Sequence, residues 1–268
     1  MTAETILQPV RERGWRNGFN NLLDKECSLW FGSRAWWRRL VTWLFITNTM
    51  PLLIGLQARS DPSSLGDISQ VMPTLFFVVG GMAIAGGAVV LSQDAVIGER
   101  QSGTAAWVLS KPASRTAFIL SKFIANTLGL WTIALLAQAA VFYAQYALWA
   151  GQTLPLGTSL AAIGLLAANS VFYVALTIML GTIYSNRGPV IGIGLGFMFV
   201  GQVMTRWAPK SGLVTPWKLG EIAAGLFPST QTGPGASLPE PFLPLAFTLA
   251  WTVLFMAVAL RLFSRQEL

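Results

Sequence analysis

The sequence contains no histidine and only one cysteine, Cys27. Without histidine, the chain has no imidazole for general acid–base catalysis or for metal binding, which argues against serine–histidine hydrolases and zinc proteases. A single cysteine excludes an intrachain disulfide bond. The sequence also lacks a G-x-x-x-x-G-K-[ST] loop, which binds nucleotide phosphates in ATPases. We therefore expect no ATP hydrolysis on this chain and no metal or cofactor of its own.

Charged residues are scarce as well. They make up 11% of the chain and hydrophobic residues 53%, whereas a soluble domain typically carries about 25% charged residues. So few charges cannot cover a water-facing surface. The 11 tryptophans and 16 phenylalanines suit the aromatic belts of a membrane protein. The first strong apolar run begins near Leu40, so we expect no cleavable signal peptide.

Six apolar runs predict an all-α membrane protein, with residues 1–268 forming one transmembrane domain. No carboxylate lies inside any of the runs, which argues against carriers that are coupled to protons or sodium. The predicted spans cover about residues 36–57, 71–92, 117–149, 157–184, 189–207 and 242–262.

Two shorter amphipathic segments accompany the spans. Residues 15–32 place Leu22 and Trp30 on one helical face, a pattern typical of a helix that lies among lipid headgroups. The alternative, a helix packed on a soluble partner, stays open. Before span 6, Thr215 and Pro216 are typical of an N-cap and a first helical residue. They predict a short helix on or within the outer leaflet.

Basic residues lie mainly on one side of the predicted spans. Six spans put both termini on the same side, and only Arg59, Arg206, Lys210 and Lys218 of the 18 basic residues fall on the other side. The positive-inside rule then makes the termini cytoplasmic, in a multi-pass protein of the plasma or inner membrane. The net charge of +7 follows from this topology, so it requires no nucleic-acid partner.

The polar stretch between spans 2 and 3 predicts a short helix between two breaks. Gly103 interrupts the end of span 2, Thr104 is a suitable N-cap, and Pro112 ends the short helix. This helix carries Trp107 and Leu109. A cytoplasmic loop needs no such apolar cluster for solubility, so we expect the cluster to cover a neighbouring surface or to fill a partner's groove.

The same stretch resembles the signature of ABC-2 type transporter permeases. The family often has an acidic residue directly after Gly-Thr, where this chain has Ala105 and Ala106, so no salt bridge is expected there. The layout of an N-terminal amphipathic helix, six spans and an external helix is also similar. The residues that match the signature are Glu99, Gly103, Thr104, Leu109, Pro112, Ser114, Arg115 and Lys122.

The resemblance implies a permease that has no ATPase activity of its own. In this family two permease chains, identical or related, form the translocation pathway. Each docks a separate cytosolic ABC ATPase, which binds ATP and magnesium, through a coupling helix at residues 104–111. The cycle usually exports a substrate. The expected coupling residues are Glu99, Gly103, Thr104, Trp107, Leu109, Pro112 and Arg115.

Several residues within the spans have two interpretations. The neutral polar side chains could line a translocation path or form hydrogen bonds between helices. Gly188, Gly192 and Gly196 form a double GxxxG pattern, which predicts a helix contact inside one chain or between two chains. The neutral polar residues in question are Asn48, Gln138, Gln145 and Asn169.

Away from their ends, the spans contain many aromatic residues and some neutral polar residues but no charged ones. This composition favours an amphipathic or apolar substrate, such as a lipid, drug or peptide. The alternative is a membrane scaffold or regulator that uses the central stretch to recruit a cytosolic partner without transport. We expect the flanking charges, Glu99, Arg115 and Lys122, to orient helix ends and to meet lipid headgroups rather than perform chemistry.

Overall fold

The computed structural model describes residues 14–61, 67–227 and 242–266, and these residues form helices and no strand. Six of the helices are long and apolar enough to cross a membrane, which confirms the predicted fold class. In chain order the helices are α1 Phe19–Phe31, α2 Ala35–Ser60, α3 Ile68–Gln101, α4 Thr104–Leu109, α5 Arg115–Ala150, α6 Leu156–Ile183, α7 Arg187–Trp207, α8 Leu219–Gly225 and α9 Phe242–Ser264.

Helices α3 and α5 are longer than a bilayer requires. They contain 34 and 36 residues, and a rise of about 1.5 Å per residue makes each roughly 50 Å long against about 30 Å of hydrocarbon. Each contains one wide π-helical turn, at Leu75–Gly80 and at Trp131–Leu136. The turn in α3 follows Pro73, which cannot donate a backbone hydrogen bond to the helix. The charged residues of α3, Asp94, Glu99 and Arg100, lie at the end where α4 connects the two helices, so we expect this end to project from the hydrocarbon.

Helix α6 forms the centre of the bundle. In its most apolar stretch 72% of the residues are buried, whereas the corresponding share in α2, α7 and α9 is 28% each. Small residues of α3 let the surrounding helices approach closely, since a Cβ on Gly81 would lie 2.8 Å from Leu166 and one on Gly87 would collide with the Trp43 ring. The large exposed faces of α2, α7 and α9 are left for lipid or for another chain.

Helix α8 packs against α3 and α6 rather than lying apart from the bundle. Leu219, Ile222 and Ala223 are buried, and a Cβ on Gly220 would lie 2.8 Å from the Phe77 carbonyl oxygen. The predicted helix start is confirmed, because Thr215 is the N-cap and Pro216 the first residue of a short 3-10 helix, Pro216–Lys218, that leads into α8. The Thr215 hydroxyl nevertheless donates to the Ser211 carbonyl at 2.7 Å and caps no backbone N–H.

Candidate functional site

Helix α4 stands at the end of the bundle between the projecting ends of α3 and α5. Gly103 precedes it with φ 71°, in the left-handed region that glycine adopts without steric cost. Gly103 is therefore the N-cap, and the prediction of Thr104 as N-cap is wrong. Thr104 is instead the first helical residue, and its hydroxyl lies 2.8 Å from that of Ser102.

The two apolar side chains that were predicted to contact a partner point in different directions. The Trp107 side chain is 61% exposed, and the Lys111 ammonium lies 3.6 Å from the centre of its ring. Leu109 is half-buried and packs against the chain's own core, next to the buried Ala105 and Val108. Trp107 thus remains available to another molecule, whereas Leu109 helps to anchor α4.

The corner between α4 and α5 is attached to the start of α1. The Ser114 backbone N–H donates to the Asn17 carbonyl at 3.0 Å, and the Ser114 hydroxyl donates to the Trp15 carbonyl. The same hydroxyl accepts from the Ala117 N–H at 2.9 Å, so Ser114 caps α5. Gly18 has a φ of 72°, and a Cβ atom on it would lie 3.1 Å from the Cβ atom of Ala113.

A buried cluster of four charges joins α1 to α3 and α5. The Lys122 ammonium lies 2.6 Å from a Glu26 carboxylate oxygen and 2.7 Å from one of Glu99. Lys25 approaches the same Glu99 oxygen at 2.7 Å from the solvent side. Lys122 is 1% exposed and Glu26 is 5% exposed. Burial raises the pKa of Glu26 above its ordinary range, and the Lys122 ammonium opposes that shift.

This cluster corrects the expectation that Glu99 and Lys122 meet lipid headgroups. Both are instead neutralised within the protein, because a buried ammonium requires a nearby anion. Sequence reasoning missed Glu26 as a partner of Lys122, although Glu26 lies in the apolar stripe of α1 between Leu22 and Trp30. A carboxylate in such a stripe is the signal that could have identified it.

Two arginines beside α4 bind the carbonyl ends of distant helices. The Arg115 guanidinium donates to the carbonyls of Ser264 at 2.9 Å and Gln266 at 2.6 Å, just where α9 ends. Arg100 lies 3.4 Å from the carbonyl oxygen of Thr182, near the end of α6. The last carbonyls of a helix lack partners in the helix and attract positive charge. Arg115 therefore holds the end of α9, and its role in coupling to an ATPase stays a prediction.

Three of the four neutral polar residues meet between α2 and α5. The Asn48 amide donates to the Gln138 side-chain oxygen at 3.1 Å, and the Gln138 amide donates to the Ile133 carbonyl at 2.9 Å, within the wide turn of α5. Gln145 approaches the Asn48 carbonyl at 3.5 Å. These contacts are hydrogen bonds between helices, one of the two interpretations; a role in translocation stays a prediction.

Asn169 lies apart from these three residues. It lines a cavity of about 20 Å³ near α8, together with Tyr173, Gln202 and Glu221. A cavity of that size holds about one water molecule. The four predicted residues therefore do not form a single site.

The glycine pattern of α7 faces away from the rest of its own chain. A Cβ on Gly188, Gly192 or Gly196 would meet nothing within 4 Å among the described residues. By contrast, Gly194 on another side of α7 lies so close to α3 that its Cβ would approach Val89 to 2.7 Å. The contact inside the chain therefore uses Gly194, and the GxxxG side of α7 is open.

A family model described as ABC-2 family transporter protein matches residues 34–268. The match begins one residue before α2 and includes all six spans and α4, whereas α1 precedes it. No curated protein in the comparison matches the chain. The resemblance that the stretch from Glu99 to Lys122 predicted is thereby confirmed.

Proposed function

This chain belongs to the ABC-2 family of transporter proteins, and we propose that it exports an amphipathic or apolar substrate with energy from a separate ABC ATPase that docks at α4. As a member of this family it is a transmembrane subunit of an ABC transporter. ATP and magnesium would bind to the ATPase, and this chain would supply the path through the membrane.

The exposed Trp107 is the observation that carries the docking proposal. A tryptophan that leaves most of its surface uncovered at the end of a bundle is typical of a protein interface, where aromatic anchors dominate the binding energy. The Lys111 ammonium over the ring adds a positive charge to the same surface. We expect the partner to present an apolar pocket with a carboxylate at its edge.

The contacts around α4 support a mechanical role for the docking site. Helix α4 is anchored through Val108 to the core, and the corner that follows it is bonded through Ser114 to the start of α1. Lys122 then joins α1 to α5. A movement that the ATPase imposes on α4 would therefore move α1 and α5 together, rather than bend a loose loop.

Replacing Trp107 with alanine tests the docking proposal. Truncating a central aromatic anchor typically costs at least about 2 kcal/mol, so we expect roughly thirtyfold weaker binding of the ATPase and a matching loss of transport-linked ATP turnover. The matched control is Trp207→Ala, which truncates a tryptophan that is 84% exposed at the opposite end of the bundle. Co-purification and binding are measured with an ABC ATPase that forms a complex with the wild-type chain.

An unchanged affinity in the Trp107→Ala variant, with the protein still folded, would refute docking at α4. The scaffold alternative makes a different prediction. A scaffold would lose its partner in the same variant, but the ATP turnover of the reconstituted pair would not respond to any lipid, drug or peptide. Stimulation by simple ions alone would overturn the proposed substrate class.

The open glycines of α7 support a second copy of this chain as the other half of the transporter. Glycines at four-residue spacing let two helix backbones approach closely in lipid. We expect Gly192→Leu to weaken the dimer, whereas Gly164→Leu on α6 adds the same bulk at another glycine with nothing within 4 Å. Crosslinking in membranes measures both. Equal dimer levels in the two variants would exclude α7 from the interface.

The proposed orientation puts α1, α4 and both termini in the cytoplasm. It is supported by the basic residues near α4, since Arg100, Arg115 and Lys122 lie at the same end as the last turn of α9. Labelling of single cysteines in a Cys27→Ser background tests the orientation. A cysteine at position 107 should react only after the membrane is permeabilised, and one at position 207 should react in intact cells.

A further inference from the structure

Two clefts meet at the end of the bundle that carries α1. The first, of about 460 Å³, is lined by α1, α3, α5 and the start of α7, and the second, of about 260 Å³, runs along α2 beside α3. Both are lined by Arg39 and Leu91. The two clefts therefore adjoin at these residues, and together they are called the groove.

The groove has two guanidinium groups with unused donors. Arg39 donates Nη1 to the carbonyls of Leu29 at 3.0 Å and Trp30 at 3.4 Å, and it lies over the Trp30 ring. These are its only hydrogen bonds to the described part of the chain, so Nε and Nη2 can still donate. Arg38 is exposed along the second cleft, and its guanidinium has no ion pair or hydrogen bond within the described ranges. The parallel N–H donors of a guanidinium group match the spacing of two oxygens of a phosphate group.

The remaining charges of the groove are already paired. Glu26 and Glu99 are balanced by Lys122 together with Lys25, which lies 2.7 Å from Glu99, and Asp94 pairs with Arg187 at 2.8 Å. These pairs leave the guanidinium groups of α2 as the unbalanced charge. The groove therefore favours an anionic ligand over a cationic one.

The second cleft changes from polar to apolar along α2. Trp36 and Trp37 are both exposed and directly precede the two arginines, and tryptophans of this kind lie at the level of lipid headgroups. Thr42 and Trp43 line the cleft one turn further along, about 6 Å deeper by the helix rise. Leu91 faces them from α3. Phosphate-binding groups thus stand above an apolar wall.

We propose that this groove binds one anionic phospholipid from the leaflet that contains α1. The phosphate contacts Arg38 and Arg39, and one acyl chain lies along Trp43 and Leu91. Because Arg39 also holds the last carbonyls of α1, the lipid would stabilise the corner between α1 and α2. The proposal does not depend on transport or on an ATPase.

Native mass spectrometry of the purified chain, titrated with phosphatidylglycerol or with phosphatidylcholine of the same acyl chains, tests this site. We expect phosphatidylglycerol to bind more tightly and Arg38→Gln to weaken it about tenfold, the effect of losing one charge-assisted hydrogen bond. Thr42→Trp, which fills the second cleft without changing any charge, should also weaken binding. The matched control is Arg59→Gln, which removes a basic side chain from the other end of α2.

Three results would overturn the proposal. If Arg59→Gln weakened phosphatidylglycerol binding as much as Arg38→Gln does, the binding would depend only on the overall charge of the protein. Unchanged binding in both Arg38→Gln and Thr42→Trp would exclude the groove. If inorganic phosphate displaced bound phosphatidylglycerol as effectively as added phospholipid does, the proposed acyl-chain contact would be excluded. Because neither Arg38 nor Thr42 is buried, we expect each variant to remain folded, and thermal unfolding without lipid checks this.

Discussion

Replacing Lys122 with methionine removes the charge at the centre of the buried cluster while keeping most of the side chain's apolar volume. The ammonium lies within 2.7 Å of oxygens of both Glu26 and Glu99. In the variant, Glu99 keeps Lys25 at 2.7 Å, whereas Glu26 has Lys25 only at 3.9 Å. Glu26 is therefore the group that loses its partner.

Two outcomes are open to the Glu26 side chain, and the less costly one sets the loss of stability. A carboxylate that stays charged and buried after losing its partner costs about 3–5 kcal/mol. A carboxyl with an ordinary pKa of about 4.3 can take up a proton at pH 7 for about 3.7 kcal/mol, since each pKa unit is worth about 1.4 kcal/mol. We therefore expect Lys122→Met to lose about 3–4 kcal/mol at pH 7.

The same reasoning fixes the sign of the pH dependence. Burial raises the pKa of Glu26, so the folded protein binds more protons than the unfolded chain, and stability falls as the pH rises. Removing the ammonium that opposes this shift strengthens the effect. Protonation costs only about 1 kcal/mol at pH 5, so the variant should recover roughly 2–3 kcal/mol between pH 7 and pH 5.

Tryptophan fluorescence during heating of the purified protein measures this effect. A loss of 3–4 kcal/mol corresponds to a fall in Tm of about 6–16 °C for a chain of this size. Adding Glu26→Gln and Glu99→Gln to Lys122→Met should restore most of it, because the variant then contains no unpaired buried charge. The control Lys111→Met removes an exposed lysine and should change Tm by no more than about 2 °C. A Tm near wild type in Lys122→Met, or no recovery in the triple variant, would refute the reasoning.

Two further variants are tested by the same heating experiment, one in the packing beside the cluster and one in the turn before α4. Gly129→Ala places a methyl group against the Trp30 ring and should cost about 1–3 kcal/mol of stability. The control Gly164→Ala, whose methyl group meets nothing within 4 Å, should be neutral or stabilising. An equal change in Tm in the two variants would contradict close packing of α1 on α5. Gly103→Ala puts a side chain on a residue with φ 71° and should cost about 1–2 kcal/mol; no loss would mean that this turn adopts another conformation.

The sequence predicts the spans well because their signal is local and continuous. Hydrophobic runs of bilayer length have few alternative structures, since every backbone group in lipid needs a partner within its own helix. The breaks around α4 follow from Gly103 and Pro112, whose backbone restrictions are also local. Even the length of α5 could be read from the apolar run.

The side-chain partners within the site could not be predicted in the same way. Lys122 and Glu26 are 96 residues apart in sequence, so only the tertiary fold brings them together. Trp107, Val108 and Leu109 are consecutive, and successive residues of a helix point about 100° apart, so the pattern does not reveal which one is buried. Thr104 has the side chain of an N-cap, but the left-handed conformation of Gly103 moves the start of the helix by one residue.

The wide turns of α3 and α5 are the places where we expect the bundle to bend if an ATPase moves α4 as proposed. Between α4 and the wide turn of α5, Lys122 and Gly129 fix the helix to α1, so this segment and α1 form one rigid unit. The wide turn itself begins at Trp131, directly after this unit ends, and a second wide turn interrupts α3, the other helix that leads to α4. Such π-helical turns interrupt the regular hydrogen bonding of an α-helix and are frequent at functional sites. If an ATPase displaces α4 as proposed, we expect the displacement to pass through the charged end of the bundle without bending it. The bend would then lie at the wide turns, beside the hydrogen bond between Asn48 of α2 and Gln138.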